Sequence, residues 1–147
     1  MALVTAILLL SLKGQGVPGA IALAPDSQTK EEAGAINGLL TSSEILDLKL
    51  NAELVVLSAC DTGKGIITGD GVIGLSRSLI SASVPSMIVS LSSVPDSPTA
   101  SLMTEFYRQL QQNSDKATAL RQAMLTTMKQ HPNPRNWAAF TLIGEAE

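Results

Sequence analysis

The stretch that decides the fold is residues 53–59, Glu-Leu-Val-Val-Leu-Ser-Ala, with Cys60 directly after it. Its apolar and β-branched residues do not alternate with polar ones, which is typical of a strand buried on both faces of a sheet. The next segment, residues 61–71, contains four glycines and predicts a loop. The sequence therefore predicts a central strand whose carboxyl end carries Cys60 and opens into a glycine-rich loop.

Short apolar runs and helical patterns alternate around this strand. Further strands are predicted at residues 19–24, 87–91 and 138–142. Four helix starts are predicted. Thr41 and Glu44 form a capping box that begins a helix through Leu50. Asp70, Ser97 (followed by Pro98) and Asp115 are the predicted N-caps of the other three helices. The apolar stripes of the last three helices are Val72, Leu75, Leu79 and Ala82; Met103, Phe106, Tyr107 and Leu110; and Ala117, Leu120, Met124 and Met128. This order predicts an α/β fold with a mainly parallel sheet flanked by helices.

The composition excludes several classes of function. Ten basic and 13 acidic residues, scattered along 147 positions, give a net charge of −3, which is not the electrostatic pattern of a nucleic-acid binder. A single Cys and a single His can form neither an internal disulfide nor a zinc site of three or four Cys and His ligands. We therefore expect no metal and a reducing, cytoplasmic setting. The first 12 residues are apolar but too few to span a membrane, which takes about 20, and they predict a buried strand or an ill-fitting N-terminus.

Cys60 is the candidate for covalent chemistry. Reacting groups in open α/β sheets gather at the carboxyl ends of the strands, and small residues beside Cys60 leave room for a substrate. The alternative is a buried cysteine that acts as a small hydrophobe. A phosphate-binding loop would need a glycine at position 58 and Ser or Thr at position 65, but the chain has Ser58 and Gly65. We therefore expect no nucleotide or other cofactor.

A family resemblance adds to this interpretation. Leu-Ser-Ala-Cys-Asp-Thr-Gly at residues 57–63, followed by Gly-Asp-Gly-Val-Ile-Gly-Leu-Ser-Arg at residues 69–77, resembles the catalytic-cysteine segment of the CHAT family. Residues 40–46, 84–86, 94–96 and 136–140 continue the similarity. The resemblance implies a partial caspase-like, three-layer α/β fold and a cysteine endopeptidase with a Cys-His dyad, often attached to TPR repeats. Residues 14–147 would form the C-terminal portion of this domain, after a divergent or aberrant segment 1–13.

The resemblance also implies roles for individual residues. Cys60 would be the nucleophile, and Gly63, Gly69 and Gly71 would permit the loop turns that present it. Asp96 would line the substrate pocket and bind an Arg or Lys side chain. The alternative for Asp96 is that it only helps to start the following helix. The family frame Leu-Trp-x-Val-x-Asp loses its Trp at Ser92, which removes a large side chain from the wall of this pocket.

The sequence departs from the family at the general base. The family takes its dyad histidine from an Ala-Thr-His-Gly motif on an earlier strand, but no His precedes Cys60 here. If Thr5 is aligned with the Thr of that motif, Ala6 and Ile7 occupy the positions of its His and Gly. The only histidine, His131, follows the last helical pattern, and we expect its loop to enter the last strand from the edge away from the catalytic residues.

Three hypotheses follow for function. The first is a CHAT-type peptidase module that is truncated and inactive or impaired, because members of a catalytic pair act as a unit. The second is a non-catalytic pseudoprotease that binds a partner protein, possibly a TPR-containing one. The third is an incomplete reading frame whose missing segment supplies the histidine.

Overall fold

The computed structural model describes residues 3–8, 20–22, 39–59, 69–112 and 114–147. The strands are β1 Leu3–Leu8, β2 Ala20–Ala22, β3 Leu39–Thr41, β4 Leu54–Ala59, β5 Ser86–Ser90 and β6 Phe140–Gly144. The helices are α1 Ser42–Leu46, α2 Gly69–Ser81, α3 Asp96–Gln111 and α4 Lys116–Gln130, and a 3-10 turn at Pro134–Asn136 precedes β6. No helix in the described ranges is long and apolar enough to cross a bilayer.

Four strands form the main sheet in the order β1-β4-β5-β6. β1, β4 and β5 are parallel, and β6 is antiparallel to β5, so the predicted mainly parallel sheet is confirmed. The strand interpretation of the N-terminal apolar segment is confirmed for Leu3–Leu8, which pairs with β4 along its whole length. β4 is consequently an interior strand, as its continuous apolar pattern predicts.

Two cores cover the two faces of the sheet. Val55 and Leu57 of β4 pack in a buried cluster with Leu75 and Leu79 of α2. Leu54 and Val56 point the other way, into a cluster that includes Phe106 of α3 and residues of α4. Because successive strand side chains alternate between faces, one strand supplies both cores. The predicted α/β fold with helices on both sides of the sheet is confirmed.

Local helix signals are confirmed at two sites. Thr41 Oγ1 accepts from the Glu44 backbone N–H at 3.3 Å, while the Glu44 carboxylate accepts from the Thr41 N–H at 2.7 Å, which is the predicted capping box. Asp115 caps α4 by accepting from the Thr118 N–H at 2.7 Å. The prediction that α1 continues through Leu50 is wrong. The Leu50 N–H donates to the Ala82 carbonyl at 3.1 Å, so the chain leaves the helix to contact the end of α2.

Two other helix starts differ from the predictions. α2 begins at Gly69, so Asp70 is its second residue rather than its cap, and the predicted loop is shorter. α3 begins at Asp96 with Pro95 as N-cap, so the Ser97 cap is wrong. The Pro95 carbonyl already accepts from both the backbone N–H and the hydroxyl of Thr99, at 3.2 and 2.9 Å, which fixes the first turn one residue before Ser97.

The last two elements show the effect of tertiary packing. The predicted stripe of α4 is wrong at Ala117, which is exposed, while Ala119, Ala123 and Thr127 are fully buried. α4 packs against α3 through these small side chains, which allow a close approach that large apolar residues would prevent. β6 begins at Phe140 rather than residue 138, because the Ala138 N–H donates to the Pro134 carbonyl and closes a turn.

Candidate active site

The carboxyl end of β4 lies between the carboxyl ends of β1 and β5. Leu8, the last residue of β1, is the Cα partner of Ala59, the last residue of β4. On the other side, Leu57 pairs with Val89, one residue before the end of β5. Cys60 itself lies outside the described residues, as does Gly63.

β1 occupies the position next to the strand that leads to Cys60. Its register places Thr5 beside Val56, Ala6 beside Leu57 and Ile7 beside Ser58. Ala6 is two residues before the Leu8–Ala59 pair, about 7 Å along the strand. Ala6 and Ile7, which the predicted motif register aligns with the His and Gly of the base motif, therefore lie on the neighbouring strand, but Ala6 is not the residue at its end.

The segment after β5 runs along the same edge. The Leu91 N–H donates to the Ala139 carbonyl at 2.9 Å, and the Leu91 side chain is 52% exposed. Val94, three residues later, is fully buried in the core that contains Phe106. This anchor follows the exposed residues Leu91 and Ser92, close to the place where the resemblance predicts a substrate pocket.

Asp96 is the first residue of α3, and its side chain is exposed. It makes no hydrogen bond or ion pair with another described residue. A carboxylate in the first turn of a helix interacts favourably with the helix dipole, so this position accounts for the helix-start alternative. The exposed carboxylate is also able to bind a cation, and the substrate-binding role stays a prediction.

The glycines fall into two groups. Gly69 and Gly71 lie in the first turn of α2, so their assignment to the loop is wrong. Glycine costs a helix only about 0.5–1 kcal/mol relative to alanine, so two glycines do not prevent α2 from beginning at Gly69. The role proposed for them in presenting Cys60 is a separate question and stays a prediction.

His131 lies nearer to this edge than the sequence predicts. It is the C-cap of α4 and is half-buried, and its backbone N–H donates to the Thr127 carbonyl at 2.7 Å. Because β6 is antiparallel, its first residue, Phe140, pairs with Ser90 at the end of β5. The loop after His131 therefore enters β6 at the carboxyl edge of the parallel strands, and the expectation of the opposite edge is wrong. Nothing in the sequence signals the direction of β6.

The shifted pKa values among the described residues belong to helix caps and a surface pair. The hydrogen bond from Arg108 lowers the pKa of Glu105 from 4.5 to about 2, with a second contribution from Gln109. The backbone N–H of Thr41 lowers the pKa of Glu44, and that of Thr118 lowers the pKa of Asp115. These shifts stabilise helices and do not activate a thiol.

Comparison with known proteins identifies the relatives of this chain. Residues 10–145 match the family model described as CHAT domain. The Tetratricopeptide repeat protein 28 of Mus musculus is 36% identical over 108 residues, which are 72% of this chain and 4% of that protein. The protein of the same name from Homo sapiens is 37% identical over 108 residues, with the same coverage. The chain thus spans about 4% of the length of these relatives.

Proposed function

This chain belongs to the CHAT domain family, and on that premise we propose that it is a caspase-like cysteine endopeptidase module with Cys60 as nucleophile and strongly impaired hydrolysis. The observation that carries the proposal is the parallel pairing of β1 with β4. It puts a strand without any histidine beside the strand that leads to Cys60.

The chemistry explains why the missing histidine matters. In peptide hydrolysis the Cys thiolate attacks the scissile carbonyl carbon, the C=O electron pair moves to the oxygen, and the leaving amine must then receive a proton. A histidine base normally takes the thiol proton and later delivers it to the amine. The side chains of Ala6 and Ile7 neither accept nor donate a proton. An unassisted cysteine, with a pKa of about 8.5, is mostly protonated at neutral pH.

Restoring the base tests this proposal. The motif register predicts rescue by the double substitution Ala6→His and Ile7→Gly, whereas the strand register favours Leu8→His, because Leu8 is the partner of Ala59. One of these variants should raise the Cys60-dependent rate of cleavage of a fluorogenic peptide by about 10²-fold or more. Cys60→Ser in the same background is the matched control and should abolish the gain.

Two outcomes would overturn the proposal. One is efficient cleavage by the wild-type chain that disappears in Cys60→Ser, which would show that another group already activates the thiol. The other is failure of both histidine variants although circular dichroism shows that they fold as the wild type does.

The proposed substrate is a polypeptide with a basic residue before the cleaved bond, bound by the exposed carboxylate of Asp96. In the rescued variant, Asp96→Asn should raise KM for peptides with Arg at that position and leave KM for peptides with Ala unchanged. A loss of thermal stability without any change in this ratio would favour the helix-start role instead.

A second candidate function is the binding of a partner protein without catalysis. The observation that favours it is the position of β6, which has no second neighbouring strand in the described part of the chain and lies next to an apolar groove. The names of the relatives point to TPR-containing proteins, so we propose that such modules work alongside protein-binding repeats.

A further inference from the structure

A groove runs between α4 and β6, on the far side of the sheet from β1. It has a volume of about 500 Å³ and is lined mainly by apolar side chains. Its lining includes Leu120 and Met124 of α4, Phe140 and Leu142 of β6, and Trp137. This surface does not depend on the chemistry of Cys60.

Among the described residues β6 is an edge strand, and its backbone groups can be assigned to two sides. The Leu91 N–H donates to Ala139, and the Glu145 N–H donates to Pro85, so the odd-numbered residues of β6 face β5. Antiparallel strands alternate between residues that bond to the neighbour and residues that point away from it. Phe140 and Leu142 therefore direct their N–H and C=O groups outward, and their side chains lie in the core beneath α4.

This combination specifies the shape of an occupant. Outward N–H and C=O groups at alternate residues match the backbone of an extended peptide, which adds to a sheet as a new strand. Every second side chain of such a strand would lie toward α4 and enter the apolar groove. The indole Nε1–H of Trp137 is buried without an acceptor among the described residues, so packing alone holds this ring.

A basic side chain at the groove also indicates the charge of the occupant. Arg121 lines the groove from α4, its side chain is exposed, and it makes no ion pair within the described part of the chain. A carboxylate on the added strand would therefore find an unpaired guanidinium at the rim. We propose that the groove between α4 and β6 binds an extended segment of a partner protein by strand addition, with apolar residues in alternation and an acidic residue facing Arg121.

The single tryptophan of the chain provides the assay. The probe is an acetylated and amidated peptide of about seven residues, within the usual length of a strand, whose side chains on the α4 face are valine, glutamate and valine and whose other residues are threonine. Titration into the full chain should shift the emission of Trp137 in a saturable way. N-methylation of the alternate amides that face β6 should abolish binding, whereas methylation of the other set should leave it intact.

Matched variants separate charge from fold. Arg121→Glu should weaken binding of the acidic peptide about twofold to fivefold and strengthen binding of a lysine-containing peptide. Lys129→Glu, an exposed residue of the same helix outside the groove, should change neither. Cys60→Ser should bind as the wild type does, because this proposal is independent of the proposed peptidase function.

Four outcomes would overturn the proposal. The first is an unchanged Trp137 emission together with no peptide bound in a separate calorimetric titration. The second is equal binding of both N-methylated peptides, and the third is loss of binding in Cys60→Ser. The fourth is a concentration-dependent dimer, detected by light scattering, that accounts for the emission shift without peptide. The last would show that a second copy of the chain occupies the groove.

Discussion

Gly144→Ala should destabilise the fold strongly, because the added methyl group has no space. Gly144 has a φ of +99°, a conformation that other residues rarely adopt, and an added Cβ would lie 2.1 Å from the Pro85 carbonyl oxygen. The adjoining backbone is fixed by a hydrogen bond from the Glu145 N–H to that same oxygen at 3.0 Å. The Ser86 hydroxyl also donates to the Glu145 carbonyl at 2.7 Å.

The magnitude follows from these contacts. A strained backbone costs about 1–3 kcal/mol, and loss of one or two hydrogen bonds adds about 0.5–1.5 kcal/mol each, which gives a total of about 1.5–6 kcal/mol. For a chain of this size the unfolding midpoint should fall by roughly 5–15 °C. Thermal and urea unfolding followed by circular dichroism measure this loss.

A matched control distinguishes strain from a general effect of replacing glycine. Gly74→Ala lies in the interior of α2, where alanine is favoured by about 0.5–1 kcal/mol, so it should not lower the midpoint. Gly144→Asn should fail as alanine does, because its Cβ meets the same carbonyl oxygen. A loss below about 0.5 kcal/mol for Gly144→Ala would refute this account of the β5–β6 connection.

Three further predictions concern the helices. Thr127→Val should stabilise the chain by about 1 kcal/mol in urea unfolding, because the buried Thr127 hydroxyl has no partner among the described residues; a loss would show that it has one. Asp115→Ala should lower the unfolding midpoint while Asp115→Asn keeps it, since both Asp and Asn accept the Thr118 N–H; equal losses would exclude capping as the cause. The folded-state pKa of Glu105 is lowered to about 2, so its pairing with Arg108 stabilises fully above about pH 5 and is lost as the pH falls toward 2. Glu105→Gln should flatten the pH dependence of unfolding in that range, and an unchanged profile would contradict the pairing.

Much of the fold could be predicted because its signals are local. The unbroken apolar run of β4 predicts an interior strand, and the structure places Leu54 and Val55 in opposite cores. The Thr41 capping box and the Asp115 cap are formed by residues three apart, so their geometry depends little on the rest of the chain.

The errors arise where distant contacts decide the outcome. The predicted stripe of α4 is confirmed at Leu120, but the contact with α3 also buries Ala119 and Ala123, which the pattern did not select. The direction of β6 depends on its pairing with β5, which no residue of its own signals, and this reversed the predicted edge for the loop after His131. α3 starts before Ser97 because the Pro95 carbonyl accepts two hydrogen bonds from Thr99. The sequence pattern does not reveal that Pro95, rather than Ser97, is the N-cap.

Part of the candidate site could also be predicted from the sequence. The sequence places Cys60 at the end of a strand, and the structure describes that strand through Ala59 and shows which two strands adjoin it. Asp96 was predicted at a helix start and is the first residue of α3. The pairing of β1 with β4 required the structure, because a short apolar segment near the N-terminus has no sequence signal for its partner strand.

The most direct test of the central claim is the rate at which Cys60, the only cysteine, reacts with a small alkylating reagent as a function of pH. An unassisted thiol should react slowly at neutral pH, with a rate that rises through about pH 8.5. His131→Gln is the control, because it removes the only histidine of the chain. If Cys60 has no base, this variant should leave the pH profile of alkylation unchanged. Fast reaction near neutral pH, whether or not His131→Gln removes it, would contradict the claim that Cys60 lacks a base.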